Sequence, residues 1–323
     1  MKTNKPPLII ICGPTGCGKS LLALRLAKKY STKTRSVEII SADSRAIYKG
    51  MDIGTAKTLP QNRDGIYHHM INIINPNQKF TVALFKKQTL KIIKKIHQQN
   101  GIPFLVGGTG LYISSIVDNL KIPKVKPDEK IRTELEKEIN EKGLDFVWQK
   151  LLKIDPQSKN FVQKENPRRV IRALEVCLKT DQLFSQLRVK TQPEFEILQI
   201  GIKTERTKLY SKINKRVEQM IKDGLVREVQ ELIKKYSPSS PGLTSIAYQE
   251  IILYLQNKIT LQEAIDLIKK NTRHYARRQI SWFKRDKSIR WVTTYSQANH
   301  LIKNFLMFGH SVSKHSSALT KNF

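Results

Sequence analysis

Residues 8–20 read Leu-Ile-Ile-Ile-Cys-Gly-Pro-Thr-Gly-Cys-Gly-Lys-Ser. Residues 8–12 are an unbroken apolar run rich in β-branched Ile, the pattern of a strand buried on both faces of a parallel sheet. Gly13-Pro14-Thr15-Gly16-Cys17-Gly18-Lys19-Ser20 then fits G-x-x-x-x-G-K-[ST], and residues 20–30 follow as an amphipathic helix. The glycines let backbone N–H groups converge on an oxyanion without obstruction. Lys19 supplies a point charge, Ser20 a hydroxyl for Mg²⁺, and the helix N-terminus its dipole. Such a loop predicts a diphosphate or triphosphate ligand, and it leaves the reaction open.

Further strands and helices alternate outward from this loop. Residues 37–41 read as a second strand ending at Ala42-Asp43-Ser44. A helix over 80–98 leads to a third strand over 102–106, which runs into Gly107-Gly108-Thr109-Gly110. This order predicts an α/β fold, a P-loop NTPase-like parallel sheet core. From residue 123 to 193 strand patterns vanish, and charged helical patterns cover 128–142, 143–153 and 167–187. Residues 195–202 alternate like a strand returning to the sheet, and helices are expected over 209–236 and 261–284. The expected organisation is a core from 1–122 and 194–305, a helical insertion at 123–193, and a flexible tail at 306–323.

The 323 residues carry 58 Lys plus Arg against 27 Asp plus Glu, a net charge of +31. A field this one-sided fits a polyanionic partner, although a Lys-rich composition accounts for part of it. No apolar run approaches the roughly 20 residues of a membrane span. The three cysteines, Cys12, Cys17 and Cys177, lack paired spacing, which argues against a disulfide framework and fits a reducing compartment. The apolar run near the N-terminus is too short for a signal peptide, so a cytoplasmic location is expected.

Most P-loop enzymes hydrolyse or transfer a nucleotide γ-phosphoryl, and a nucleotide kinase is the first hypothesis. Kinases and ATPases usually carry an Asp at the end of a second hydrophobic strand to hold Mg²⁺. Here strand 102–106 ends in Gly-Gly, and the acid at a strand end is Asp43, which can serve as metal ligand, general base or turn residue. Within residues 272–285, Arg273, Arg277, Arg278, Lys284 and Arg285 accumulate with no acid, interleaved with Tyr275, Trp282 and Phe283. Cations that dense repel one another unless something such as phosphate neutralises them.

Seven motifs then occur in register: GPTGCGKS at 13–20, SADSRAIYKGMDIGTAK at 41–57, YHHMINI at 67–73, GGTGLY at 107–112, NPRRVIRALEV at 166–176, INKRVEQMIKDGLVREVQEL at 213–232 and TRHYARRQISWFKR at 272–285. Together they resemble the tRNA dimethylallyltransferase family over roughly residues 8–292. The resemblance implies transfer of a prenyl group from dimethylallyl diphosphate to N6 of adenosine 37 beside a tRNA anticodon, with Mg²⁺ as cofactor, the diphosphate in the 13–20 loop and Lys19 on its charge. It places Asp43 as general base, Thr109 near the target base and Arg132 facing substrate. Implied tRNA contacts are Asp43, Ser44, Arg45 and Ala46; Arg168, Arg169, Val170, Ile171 and Arg172; and Thr244, Ser245, Ile246, Ala247, Tyr248 and Gln249, joined by Arg273, Arg277 and Arg278 on charge grounds. A base in an anticodon loop must leave its stack to reach such a site. The chain departs from the family pattern at Asn166, often Asp, and at Ala247, often Gly. A monomer is expected. The alternatives are prenylation of a free adenine nucleotide, which needs no long basic surface, and a P-loop kinase.

Overall fold

The computed structural model describes residues 5–123, 125–187 and 191–308. Strand β1 (Pro7–Cys12) has Leu8 through Cys12 fully buried, as its uninterrupted apolar run requires. It lies between β4 (Ile102–Gly107) and β5 (Glu196–Ile202), with Ile9 opposite Phe104 on one side and Leu198 on the other. Strand β2 (Val37–Ser41) pairs with β4, and two short edge strands, β3 (His68–His69) and β6 (Arg290–Val292), complete the order β3-β2-β4-β1-β5-β6. All pairs are parallel, so the strand C-termini, and the loops carrying the motifs, gather at one sheet edge.

Helices α1 (Lys19–Tyr30), α2 (Val82–Gln98) and α3 (Gly110–Val117) follow β1, β3 and β4. Helix α2 starts two residues later than its apolar pattern suggests, because Thr81 caps it by accepting from the Leu84 N–H. The region expected as one helix over 209–236 is two, α8 (Arg206–Lys222) and α9 (Leu225–Ile233), broken at Gly224 with φ +97°. The later helices are α10 (Tyr248–Leu255), α11 (Leu261–Phe283) and α12 (Tyr295–Phe308). Helix α12 extends through residues 306–308, where a tail was expected; residues 309–323 lie outside the described residues. Among the described residues no helix is long and apolar enough to cross a membrane.

The chain divides into two compact units. One comprises residues up to Ile116 and from Glu194 onward; the other is Val117–Pro193. The second unit is helical: α4 (Glu129–Lys142), α5 (Leu144–Ile154), α6 (Pro167–Thr180) and α7 (Phe184–Leu187) pack around Leu135, Val147, Trp148, Leu151, Val170 and Leu174. The single helix expected over 167–187 ends at Thr180, where Asp181 turns the chain at φ +52°. Buried Asp155 then holds α7 through the Ser185 N–H and hydroxyl, both 2.8 Å away. Asn166 accepts from the Arg169 N–H at 3.2 Å and caps α6, so the amide performs the capping role open to the family's acid.

Candidate active site

The 13–20 loop joins β1 to α1 with Gly13, Gly16 and Gly18 at φ +147°, +80° and +92°. Gly18 is the N-cap of α1 and carries no side chain, so the first-turn amides receive no side-chain cap. Lys19 folds back across the loop, its Nζ donating to the Pro14 carbonyl at 2.6 Å. Ser20 is exposed. Cys12 belongs to the core, where burial pushes its thiol pKa up to about 12.

A residue that the sequence reading missed secures this loop. Gln279 of α11, 6% exposed, accepts from the Thr15 N–H at 2.8 Å and donates to the Gly108 carbonyl at 2.9 Å. One amide thus ties the loop after β1 to the loop after β4. Cations dominate its motif, TRHYARRQISWFKR, and nothing local marks the Gln.

Asp43 stands just past β2. Its Oδ1 accepts from the Arg45 N–H at 2.8 Å, which leaves Oδ2 without a donor among the described residues. Next to it, the Ser44 N–H donates to Thr109 Oγ1 at 3.0 Å, and the Thr109 N–H donates to the Ala42 carbonyl at 3.1 Å. The two strand-end loops are therefore cross-tied, an approach that glycine permits: a Cβ at Gly107 would meet the Ala42 oxygen at 2.2 Å. Tyr275 of α11 lies near Thr109, and burial raises its phenol pKa. Arg216 of α8, also missed, donates from Nη2 to the Thr55 carbonyl at 3.2 Å; burial pushes its pKa down while Asp43 pulls it up. Lys57 is enclosed by the Tyr48 carbonyl, Asn72 Oδ1 at 2.6 Å and Asp52 Oδ1 at 2.9 Å. Burial lowers its pKa despite the pull of Asp52.

Two cavities meet here. A small one, about 80 Å³, is lined by Lys19, Ser20, Asp43, Thr55 and Lys57. A larger one, about 300 Å³, is lined by Thr15, Asp43, Arg45, Arg216, Tyr275 and Arg278, with the 244–247 stretch on another side. Asp43 and Thr55 line both. A carboxylate thus stands where the cavity holding Lys19 and Ser20 meets the arginine-lined one, an arrangement suited to removing a proton beside a departing anion.

The other candidate residues divide. Arg45 donates to the Pro241 carbonyl at 3.0 Å, and Ala46 is buried. Ser245 and Tyr248 are also buried, whereas Thr244 and Gln249 are exposed; Ala247 has φ +79°. Arg273 donates to Asn214 Oδ1 at 2.8 Å, and Arg277 and Arg278 are exposed. In the helical unit Arg168 and Arg169 are exposed, but Val170 and Ile171 point into its core, so their side chains serve packing. Arg132 and Arg172 are engaged internally. Arg132 Nε and Nη2 reach Glu175 at 2.8 and 3.1 Å, and Arg172 Nη1 reaches it at 2.5 Å.

A family model described as IPP transferase matches residues 46–286. The chain is 44% identical over 287 residues to the tRNA dimethylallyltransferase of Carboxydothermus hydrogenoformans, spanning 88% of this chain and 91% of that protein. Its identity to the tRNA dimethylallyltransferase of Pelotomaculum thermopropionicum is 42% over 294 residues, spanning 90% and 92%. Among solved structures, it is similar to the full-length tRNA isopentenylpyrophosphate transferase from Bacillus halodurans, with TM-score 0.69, 37% identity, and 94% and 96% of the two chains covered. A eukaryotic dimethylallyltransferase acting on tRNA matches with TM-score 0.75 and 27% identity over 93% and 77%.

Proposed function

Because this chain belongs to the IPP transferase family, the tRNA dimethylallyltransferases, we propose that it transfers the dimethylallyl group of dimethylallyl diphosphate to N6 of adenosine 37 in tRNA. The observation that carries this reading is Asp43, which lies on the wall common to the phosphate-loop cavity and the larger one. The diphosphate is taken up by the 13–20 amides and Lys19, and Arg216 approaches it from the larger cavity, which Thr15 of the loop also lines. N6 attacks C1, the C1–O bond breaks, and diphosphate leaves with the bonding pair. The N6 proton passes to Asp43, whose Oδ2 lacks another donor. An adenine amino group is a poor nucleophile, so this proton transfer and the stabilised leaving group share the barrier lowering.

The Ser20 hydroxyl opens on the small cavity and has no hydrogen-bond partner among the described residues, so it fits a hard oxygen ligand for Mg²⁺. When bound there, Mg²⁺ would neutralise charge on the diphosphate. Exposed Arg168, Arg169, Arg277 and Arg278 supply phosphate contacts to the tRNA.

The test is nucleoside mass spectrometry of tRNA incubated with the protein, Mg²⁺ and dimethylallyl diphosphate. N6-dimethylallyladenosine at position 37, with stoichiometric diphosphate release, is expected. Unmodified tRNA alongside prenylated free adenylate, or alongside phosphate transfer from ATP, would overturn the reading.

A further inference from the structure

In the turn at residues 51–57, Gly54 and Thr55 line the larger cavity and Thr55, Ala56 and Lys57 the small one, and the turn is held from behind. Glu228 of α9 accepts from three successive backbone N–H groups. Those of Asp52 and Ile53 reach Oε2 at 2.8 and 2.7 Å, and that of Gly54 reaches Oε1 at 3.1 Å. The Tyr248 hydroxyl donates to the same Oε1 at 2.7 Å. Four donors on one carboxylate make a strong, directional anchor, because hydrogen bonds to an ionised acceptor are about twice as strong as neutral ones. The turn also rests on the Tyr248 ring so closely that a Cβ at Gly54 would come within 2.6 Å of it.

The next residue along the turn carries the consequence. The Thr55 carbonyl accepts from Arg216 Nη2 at 3.2 Å, and it is the one protein acceptor on that guanidinium among the described residues. Arg216 and Asp43 line the same larger cavity, and the Asp43 charge raises the Arg216 pKa against burial. Displacing the turn therefore displaces the group that aims Arg216.

We propose that Glu228 is a positioning residue of the transfer reaction: by pinning the amides of 52–54 it places the Thr55 carbonyl, and through it Arg216, against the diphosphate. The inference rests on the assignment of Arg216 to the diphosphate made above. Gln at position 228 keeps one carbonyl oxygen but turns the other acceptor into an NH₂ donor facing further donors, so at least one amide of the turn is released.

The experiment is a double-mutant cycle read by steady-state kinetics. Glu228→Gln raises KM for dimethylallyl diphosphate by about tenfold, while the Kd for tRNA alone stays within about twofold. Added to Arg216→Gln, Glu228→Gln causes little further loss in kcat/KM, because both changes act through one guanidinium. A purely structural loss would instead lower the active fraction, reducing kcat and leaving KM in place. Tyr248→Phe removes one donor but keeps the ring under Gly54. It gives a smaller rise in KM of the same sign, and it carries the test if Glu228→Gln does not fold. An unchanged KM in the folded variants, or losses that multiply independently in the cycle, overturns the role of Glu228. Wild-type protein that fails to prenylate tRNA overturns the functional reading itself, so the two failures are distinguishable.

Discussion

At the residue scale the two oxygens of Asp43 have different neighbours. Oδ1 is engaged by the Arg45 N–H, and Oδ2 has no donor among the described residues. An Asn at 43 can keep the first bond and the turn it makes, but it cannot take a proton. Asp43→Asn is expected to lower single-turnover prenylation by about 10²–10⁴-fold, with tRNA Kd unchanged; a wild-type rate would exclude Asp43 as the base. Ala247 is a second legible case. Its N–H donates to Glu250 Oε2 at 2.8 Å while its backbone sits at φ +79°, ψ −35°. An L-residue held in left-handed backbone costs about 1–2 kcal/mol, and glycine returns part of that through its freer unfolded chain. Ala247→Gly should therefore stabilise the protein by about 0.5–1 kcal/mol, seen as a higher urea midpoint at constant m-value. A lower midpoint would show that the side chain contributes more than the strain it incurs.

At the element scale α11 concentrates three roles on one helix. Gln279 holds the phosphate loop, Tyr275 lines the larger cavity, and Arg277 and Arg278 are exposed, with Arg278 also lining that cavity. It runs antiparallel to α8, keyed by Arg273 to Asn214 and Lys269 to Glu218. That pairing stands Arg216 and Tyr275 on neighbouring walls of one cavity. If the exposed arginines meet phosphates, Arg277→Ala/Arg278→Ala should weaken tRNA binding and reduce the slope of log K against log salt by up to about 2. An identical slope, measured by filter binding across a salt series, would place that face away from the tRNA.

At the scale of the whole molecule the two units differ in how they meet acid. In the helical unit, burial alone would raise the Glu175 pKa, but hydrogen bonds from Arg132, the Asp128 N–H and Arg172 outweigh it and hold it below the usual glutamate range. Asp155 is likewise depressed, through Ser185 and Ser158, against the effect of burial. A carboxylate with a depressed folded pKa stabilises above its unfolded pKa, about 4 for these groups, and loses that contribution as pH falls through the folded value. The strands β1 and β4 contain no carboxylate. Hydrogen exchange between about pH 5 and 3 should therefore show α4 and α6 losing protection before β1 and β4. Simultaneous loss, or loss in the reverse order, would contradict this.

What the sequence determined by itself was the local chemistry. A phosphate-loop motif is contiguous, so residues 8–20 specified strand, loop and helix together, and β4 with its glycines followed from the same alternation. Short edge strands such as His68–His69 were illegible because two polar residues carry no period, and the break at Gly224 was hidden inside a continuous apolar pattern. Only the tertiary structure decided which arginines are free, because pairing depends on distant acids. Arg132 and Arg172 looked like two exposed cations until buried Glu175 claimed both. Gln279 and Glu228 act on Thr15 and Asp52 from 264 and 176 residues away. No local pattern encodes such bonds, since their energy is realised only once the sheet has brought the loops to one edge.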